Sequence, residues 1–157
     1  MSDLASSTQH ITSGAALNAL GLPHRVRIPP GDVRHPALIM VHGLDGNEDV
    51  TWVFARTAGP EWLILTPRAP LPTSDGFSWY PSTPPDHAPD AASFAAGLAA
   101  LEKFIDGAIA YYPLDPARIV LLGFSQGAAL SYSYAFAHPE RLIGLTSSKS
   151  IDPLRSM

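Results

Sequence analysis

The chain has 157 residues, of which 46% are hydrophobic and 15% are charged. This length and apolar content allow one domain with a sizeable core and exclude a disordered chain, while the absence of cysteine excludes a disulfide scaffold and any thiolate metal site. The formal net charge is -4 and the basic residues are scattered singly, so nucleic acid is not an expected partner.

Short apolar runs along the chain predict the strands of a sheet. Residues 1–22 show no pairing pattern and are expected to be loosely ordered. Residues 25–28 alternate polar and apolar side chains, which is typical of a half-exposed edge strand. Continuous apolar runs predict strands that are buried on both faces, and a weaker run predicts a fourth; they lie at 37–41, 62–66, 119–122 and 142–145.

Two helices are predicted between these strands. Apolar residues recur at three- and four-residue steps from 91 to 112, with Asp90 as the cap and Pro113 as the stop. A second helix is predicted from Gln126 to Ala137, whereas the proline-rich residues 81–89 predict a loop. Strands that alternate with helices indicate an α/β fold, a mostly parallel sheet with helices on both faces, in a single domain over residues 1–157 that ends in a polar tail at 146–157.

Residues 123–127 read Gly-Phe-Ser-Gln-Gly and match the pattern G-x-S-x-G. The match lies where a predicted buried strand gives way to a predicted helix, which is the placement of a nucleophile elbow. Ser125 is therefore the candidate nucleophile, held in a sharp turn between glycines. The alternative is a serine that only caps the helix.

A second glycine-rich segment, His-Gly-Leu-Asp-Gly-Asn-Glu at 42–48, follows the first buried strand. Acyl transfer needs two N–H donors at the oxygen that becomes negative, and such a loop supplies one while the residue after the nucleophile supplies the other. Leu44 and Gln126 are the candidate donors. A plain glycine turn and a cation site are the alternatives, but the carboxylates lack EF-hand spacing and no metal is expected.

From about residue 25 to 145 the chain resembles the phospholipase/carboxylesterase family of α/β-hydrolases, which includes acyl-protein thioesterases. The resemblance rests on the segment at 42–44, on Pro-Arg-Ala-Pro at 67–70, on Gly-Phe-Ser-Trp-Tyr at 76–80, and on 123–128 with its glutamine after the serine. It implies an α/β-hydrolase-type sheet and a serine hydrolase that acts on small carboxylic esters or thioesters without a cofactor. It also implies that Trp79 and its neighbours line the acyl site, with a core aromatic as the alternative.

The sequence does not supply the base and acid that the fold takes from the chain after the nucleophile. The one later histidine, His138, falls at the far end of the predicted helix, about 20 Å from Ser125, and is expected to end that helix. Asp152 falls in the polar tail, and His42 is expected to be structural. We therefore expect a fold that is incomplete at its C-terminal side, a truncated chain, and weak or absent activity.

Two other functions are alternatives to a hydrolase. A non-catalytic acyl-binding or interaction module of the same fold is the main alternative, whereas a nucleotide-binding domain is disfavoured because no glycine-rich phosphate motif follows a strand. An incomplete sheet would expose the apolar strand at 142–145 as an edge, which predicts a homodimer. No apolar run is long enough to span a bilayer and no secretion signal is evident, so a cytoplasmic location is expected.

Overall fold

The computed structural model describes residues 6–148, which contain eight strands and three α-helices. The strands are β1 (Ser7–Ile11), β2 (His24–Ile28), β3 (His35–Val41), β4 (Leu63–Pro67), β5 (Leu71–Pro72), β6 (Phe77–Ser78), β7 (Leu114–Phe124) and β8 (Leu142–Ser148). The helices are α1 (Gly14–Leu20), α2 (Ala91–Tyr111) and α3 (Gln126–Ala137), and a 3-10 helix spans Trp52–Thr57. No helix among residues 6–148 is both long and apolar enough to cross a membrane.

Six strands form one mostly parallel sheet in the order β1-β2-β4-β3-β7-β8, and β5 pairs with β6 separately. Pairing is parallel between β3 and β4, β3 and β7, and β7 and β8, and it is antiparallel at β1 and β2. The carboxyl ends of the four parallel strands therefore meet at one edge of the sheet. The predicted α/β fold class is confirmed.

The expectation of helices on both faces holds only in part: the three described α-helices cover one face, and a 3-10 helix lies on the other. Residues of α1, α2 and α3 all join the larger core cluster on one face, whereas the smaller cluster on the other face is covered by the 3-10 helix and by Trp62. Right-handed crossovers explain why α2 and α3 lie on one face and the 3-10 helix on the other. The connections through α2 and α3 run toward β8 in the sheet, whereas the connection from β3 to β4 runs in the opposite direction.

The structure confirms the predicted strands and helices of the central sheet. Helix α2 begins after Asp90, whose Oδ1 accepts a hydrogen bond from Ser93 N at 2.8 Å, and α3 has the predicted bounds. Residues 81–90 form a loop, as predicted. Strand β8 runs to Ser148, so the start of the predicted polar tail is part of the sheet; the rest of that tail, with Asp152, lies outside the described residues.

The expectation of a loosely ordered N-terminal segment is wrong for its described part. Strand β1 pairs with β2 along five residues, and α1 buries Ala16 and Leu20 against the core. As a result β2 lies inside the sheet rather than at its edge. The sequence concealed this arrangement because β1 presents mostly exposed side chains and pairs through its backbone, while α1 is too short to show a helical period.

Candidate active site

Ser125 occupies the turn between β7 and α3 at the carboxyl edge of the sheet. Its backbone has φ 50 and ψ -113, a conformation that costs energy for a residue with a Cβ, and its side chain is exposed. The side chain makes no capping hydrogen bond to α3, so the helix-capping interpretation is wrong. The geometry is the one that a nucleophile elbow requires.

The two glycines of the motif are required by close packing rather than by backbone conformation. A Cβ added to Gly127 would lie 2.1 Å from the carbonyl oxygen of Val41, and one added to Gly123 would lie 2.5 Å from the carbonyl oxygen of Gly127. Both distances are far below van der Waals contact. Helix α3 can therefore start directly against β3 and β7, which fixes the position of Ser125.

The loop after β3 lies beside Ser125. A Cβ added to Gly43 would be 3.1 Å from the Cβ of Ser125, and Leu44 follows as a 36% exposed residue that lines the same pocket. Gln126 is the first residue of α3, so its backbone N–H has no partner within the helix. Leu44 and Gln126, the residues predicted to supply the N–H donors, thus both lie close to Ser125.

His42 anchors the start of this loop. Its Nε2 accepts a hydrogen bond from Ala69 N at 3.0 Å, so the ring proton is on Nδ1, which donates to Gly43 O at 2.6 Å. Burial lowers the pKa of His42, which favours this neutral form. Because both ring nitrogens are engaged, His42 is structural, as expected.

Glu48 anchors the other end of the loop and was not singled out as a structural residue from the sequence. Its carboxylate is 2% exposed and receives Arg68 Nε at 2.8 Å, a second bond from Arg68 Nη2, and a contact with His10 Nε2 at 2.6 Å. Although burial opposes ionisation, the hydrogen bonds from Arg68 and His10 lower the pKa of Glu48 to about 2. These contacts occupy the carboxylate that the alternative cation site would need.

The hydrogen bonds of the Gln126 side chain explain why a glutamine follows Ser125. Its Oε1 accepts from Trp79 N at 2.8 Å, and its Nε2 donates to Ser78 Oγ at 3.0 Å and to Tyr80 O at 2.9 Å. The amide therefore ties the start of α3 to residues 78–80.

Trp79 belongs to the larger core cluster of the described residues. It is 1% exposed, and its Nε1 donates to His42 O at 2.9 Å. This burial favours the core interpretation, and the substrate-binding role that the resemblance implies stays a prediction. The hydrogen bond from Trp79 Nε1 holds the backbone of the loop at His42.

A pocket of about 440 Å³ opens at Ser125. Its walls include Leu44 and Val50, together with Phe54, whose ring stacks on that of Phe124 at a centroid distance of 5.1 Å. We name it the serine pocket. Its walls are mainly apolar, which is typical of small-molecule pockets.

None of the six histidines of the chain hydrogen-bonds to Ser125. His138 ends α3, as expected, and its Nε2 lies 3.3 Å from Glu102 Oε1. His35 stands at the opposite end of β3, and the others contact Glu48, Tyr112, Ala69 and Ser82. Within residues 6–148, which contain all six histidines, no imidazole is therefore hydrogen-bonded to Ser125.

Comparison with known proteins agrees with this arrangement. A family model described as Phospholipase/Carboxylesterase matches residues 23–156. The fold is similar to that of a carboxylesterase from Mesorhizobium loti, with a TM-score of 0.71, 24% identity, and coverage of 92% of this chain and 67% of that chain. It is also similar to the Bacillus cereus carboxylesterase, with a TM-score of 0.71, 23% identity, and coverage of 83% of this chain and 61% of that chain. The match to these structures therefore spans about two thirds of their length or less.

Proposed function

The chain belongs to the phospholipase/carboxylesterase family, and on that premise we propose that Ser125 is the nucleophile of a hydrolase of carboxylic esters or thioesters. The observation that carries the proposal is the positive φ of Ser125 in an exposed strand-to-helix turn. A strained non-glycine residue at a pocket mouth is retained when its orientation serves chemistry.

In the proposed reaction Ser125 Oγ attacks the acyl carbon and forms a tetrahedral intermediate. The backbone N–H groups of Leu44 and Gln126 stabilise the negative oxygen, the C–O or C–S bond to the leaving group breaks, and that group departs with the proton that Ser125 Oγ loses. Water then attacks the acyl carbon, the bond between that carbon and Ser125 Oγ breaks, and a proton of the water returns to Oγ as the carboxylic acid leaves. The acyl chain lies along Val50 and Phe54 in the serine pocket.

We propose that turnover by this chain is weak or absent. The proton of Ser125 Oγ needs a base, and none of the six histidines hydrogen-bonds to it. Without triad partners, N–H donors and substrate binding leave a residual acceleration of about 10³ to 10⁴ over water. The lack of a histidine at Ser125 also supports the alternative, an acyl-binding module without catalysis.

A fluorophosphonate tests the proposal because it forms a covalent adduct with a serine nucleophile. We expect a slow adduct on the peptide that contains Ser125, located by mass spectrometry, and no adduct in Ser125→Ala. Ser74→Ala is the matched control, since Ser74 is an exposed loop serine, and it should react like the wild type. If the folded wild type forms no adduct at Ser125 after long incubation, the acyl-binding alternative is favoured.

Strand β8 supports the proposed homodimer. Among the described residues it pairs on one side only, with β7, and Ile143 is 59% exposed. An exposed apolar edge strand can pair with another chain. We expect a dimer in size-exclusion chromatography with light scattering, and a monomer for Ile143→Lys, because a charge at this edge would be desolvated on pairing.

Val33→Lys is the control for this experiment, since Val33 is a similarly exposed residue that lies outside the sheet. It should leave the dimer intact. A wild-type chain that stays monomeric at high concentration contradicts the proposed interface.

A further inference from the structure

A second pocket, of about 420 Å³, adjoins the serine pocket. Leu44 and Asp45 line both pockets, whereas Ser125 lines only the serine pocket. The walls of the second pocket carry the polar side chains of Thr73, Ser82 and His87, and we name it the polar pocket. None of these side chains has a part in the chemistry described above.

The position of Leu44 relates the two pockets to the substrate. If the Leu44 N–H receives the carbonyl oxygen of an ester, as proposed above, the carbonyl carbon lies where the pockets meet. That carbon carries two substituents, the acyl chain and the alcohol portion, which point away from each other. Each pocket can therefore receive one of them, and the apolar walls of Phe54 and Phe124 suit the acyl chain.

The polar groups of the second pocket are held in place and retain free hydrogen-bonding atoms. Asp45 Oδ1 accepts a hydrogen bond from Thr73 Oγ1 at 2.7 Å, which leaves Oδ2 as an acceptor. His87 Nδ1 lies 3.0 Å from Ser82 Oγ, which leaves Nε2 available for a second hydrogen bond. Asp45 and His87 both have positive φ, a backbone conformation that is uncommon for residues other than glycine.

The charge of the polar pocket narrows the class of ligand. Its described lining has no lysine or arginine and includes the Asp45 carboxylate, which disfavours a phosphate or carboxylate on the alcohol. The same lining has no Trp, Tyr or Phe ring of the kind that binds quaternary ammonium groups. Hydroxyl groups match the available carboxylate oxygen, imidazole nitrogen and serine hydroxyl.

We propose that the polar pocket binds the alcohol portion of the ester and favours an uncharged alcohol with several hydroxyl groups. The inference rests on the proposed function, because that function places the carbonyl at Leu44. The inference gives His87 a role in specificity, since its Nε2 would donate a hydrogen bond to a substrate hydroxyl or accept one from it.

Binding to Ser125→Ala tests the proposal without any need for turnover. The probes are 2,3-dihydroxypropyl butyrate and propyl butyrate, which differ only in two hydroxyl groups, and butyrylcholine, which carries a cation. We expect ligand-observed NMR titration to give about tenfold tighter binding of the dihydroxypropyl ester than of the propyl ester, as two modest hydrogen bonds would produce. His87→Ala in the same background should reduce this preference about fivefold.

Thr83→Ala is the matched control, since Thr83 is exposed on the same loop and does not line the pocket. It should leave the preference unchanged. Equal affinities for the two neutral esters, or no saturable binding of the dihydroxypropyl ester, would overturn the proposal, and tighter binding of butyrylcholine would assign the pocket to a cation instead. The ester comparison uses one protein and stands even if His87→Ala does not fold. Failure of the proposed function is seen separately, as the absence of a phosphonate adduct on wild-type Ser125.

Discussion

Gly127→Ala is expected to lower the free energy of unfolding by about 3 kcal/mol or more, at the upper end of the usual cost of overpacking. The added methyl group would lie 2.1 Å from Val41 O and 2.6 Å from His42 O. Both oxygens belong to buried backbone, where β3 ends against the turn at Ser125, and neither can move without disturbing the centre of the sheet. Relief can come only from a shift of α3, which would carry Ser125 away from Leu44.

Urea unfolding followed by circular dichroism measures the loss of stability, and the rate of phosphonate adduct formation measures the displacement of Ser125. Gly144→Ala is the control, because a Cβ at Gly144 would meet Val120 at an ordinary contact distance of 3.4 Å. A Gly127→Ala chain as stable as Gly144→Ala would show that the helix does not pack as closely as described.

The sequence was sufficient for features that depend on local pattern. The bounds of α3, the buried strands and the turn at Ser125 follow from apolar runs, helical period and glycine placement, all of which act within a few residues. The motif predicts a glycine at position 127, but it does not show which atom excludes a side chain there. That atom is the carbonyl oxygen of Val41, which is far away in the chain.

Features that depend on long-range partners were not predictable. Strand β1 carries almost no apolar signal and is held by backbone pairing to β2, and the burial of Trp79 depends on His42 and Gln126. In the sequence, nothing distinguishes Glu48 from the other carboxylates of its loop. The sequence segment at 67–70 contains Arg68, but only the structure shows that Arg68 binds the Glu48 carboxylate.

Arg68→Met is expected to destabilise the chain by about 3 kcal/mol at neutral pH, because it leaves the buried carboxylate of Glu48 without its main partner. Arg68 is 27% exposed whereas Glu48 is 2% exposed, so the cost falls mainly on the carboxylate. The double variant Glu48→Gln with Arg68→Met should recover much of the loss, since no buried charge remains. Asp49→Asn is the control: it removes an exposed ion pair with Arg25 and should change stability by less than about 1 kcal/mol.

The same ion pair predicts how stability depends on pH. The pKa of Glu48 is about 2 in the folded chain, below its ordinary value of 4.5, so the folded state binds this proton less readily than the unfolded state. The stabilisation is therefore fully present above pH 4.5 and is lost as the pH falls toward 2, by about 3 kcal/mol in total. Urea unfolding between these pH values should show a steeper loss for the wild type than for Glu48→Gln, which cannot titrate at this position. Equal slopes would mean that the carboxylate is not clamped by Arg68, and the loop that carries Leu44 would then need another anchor.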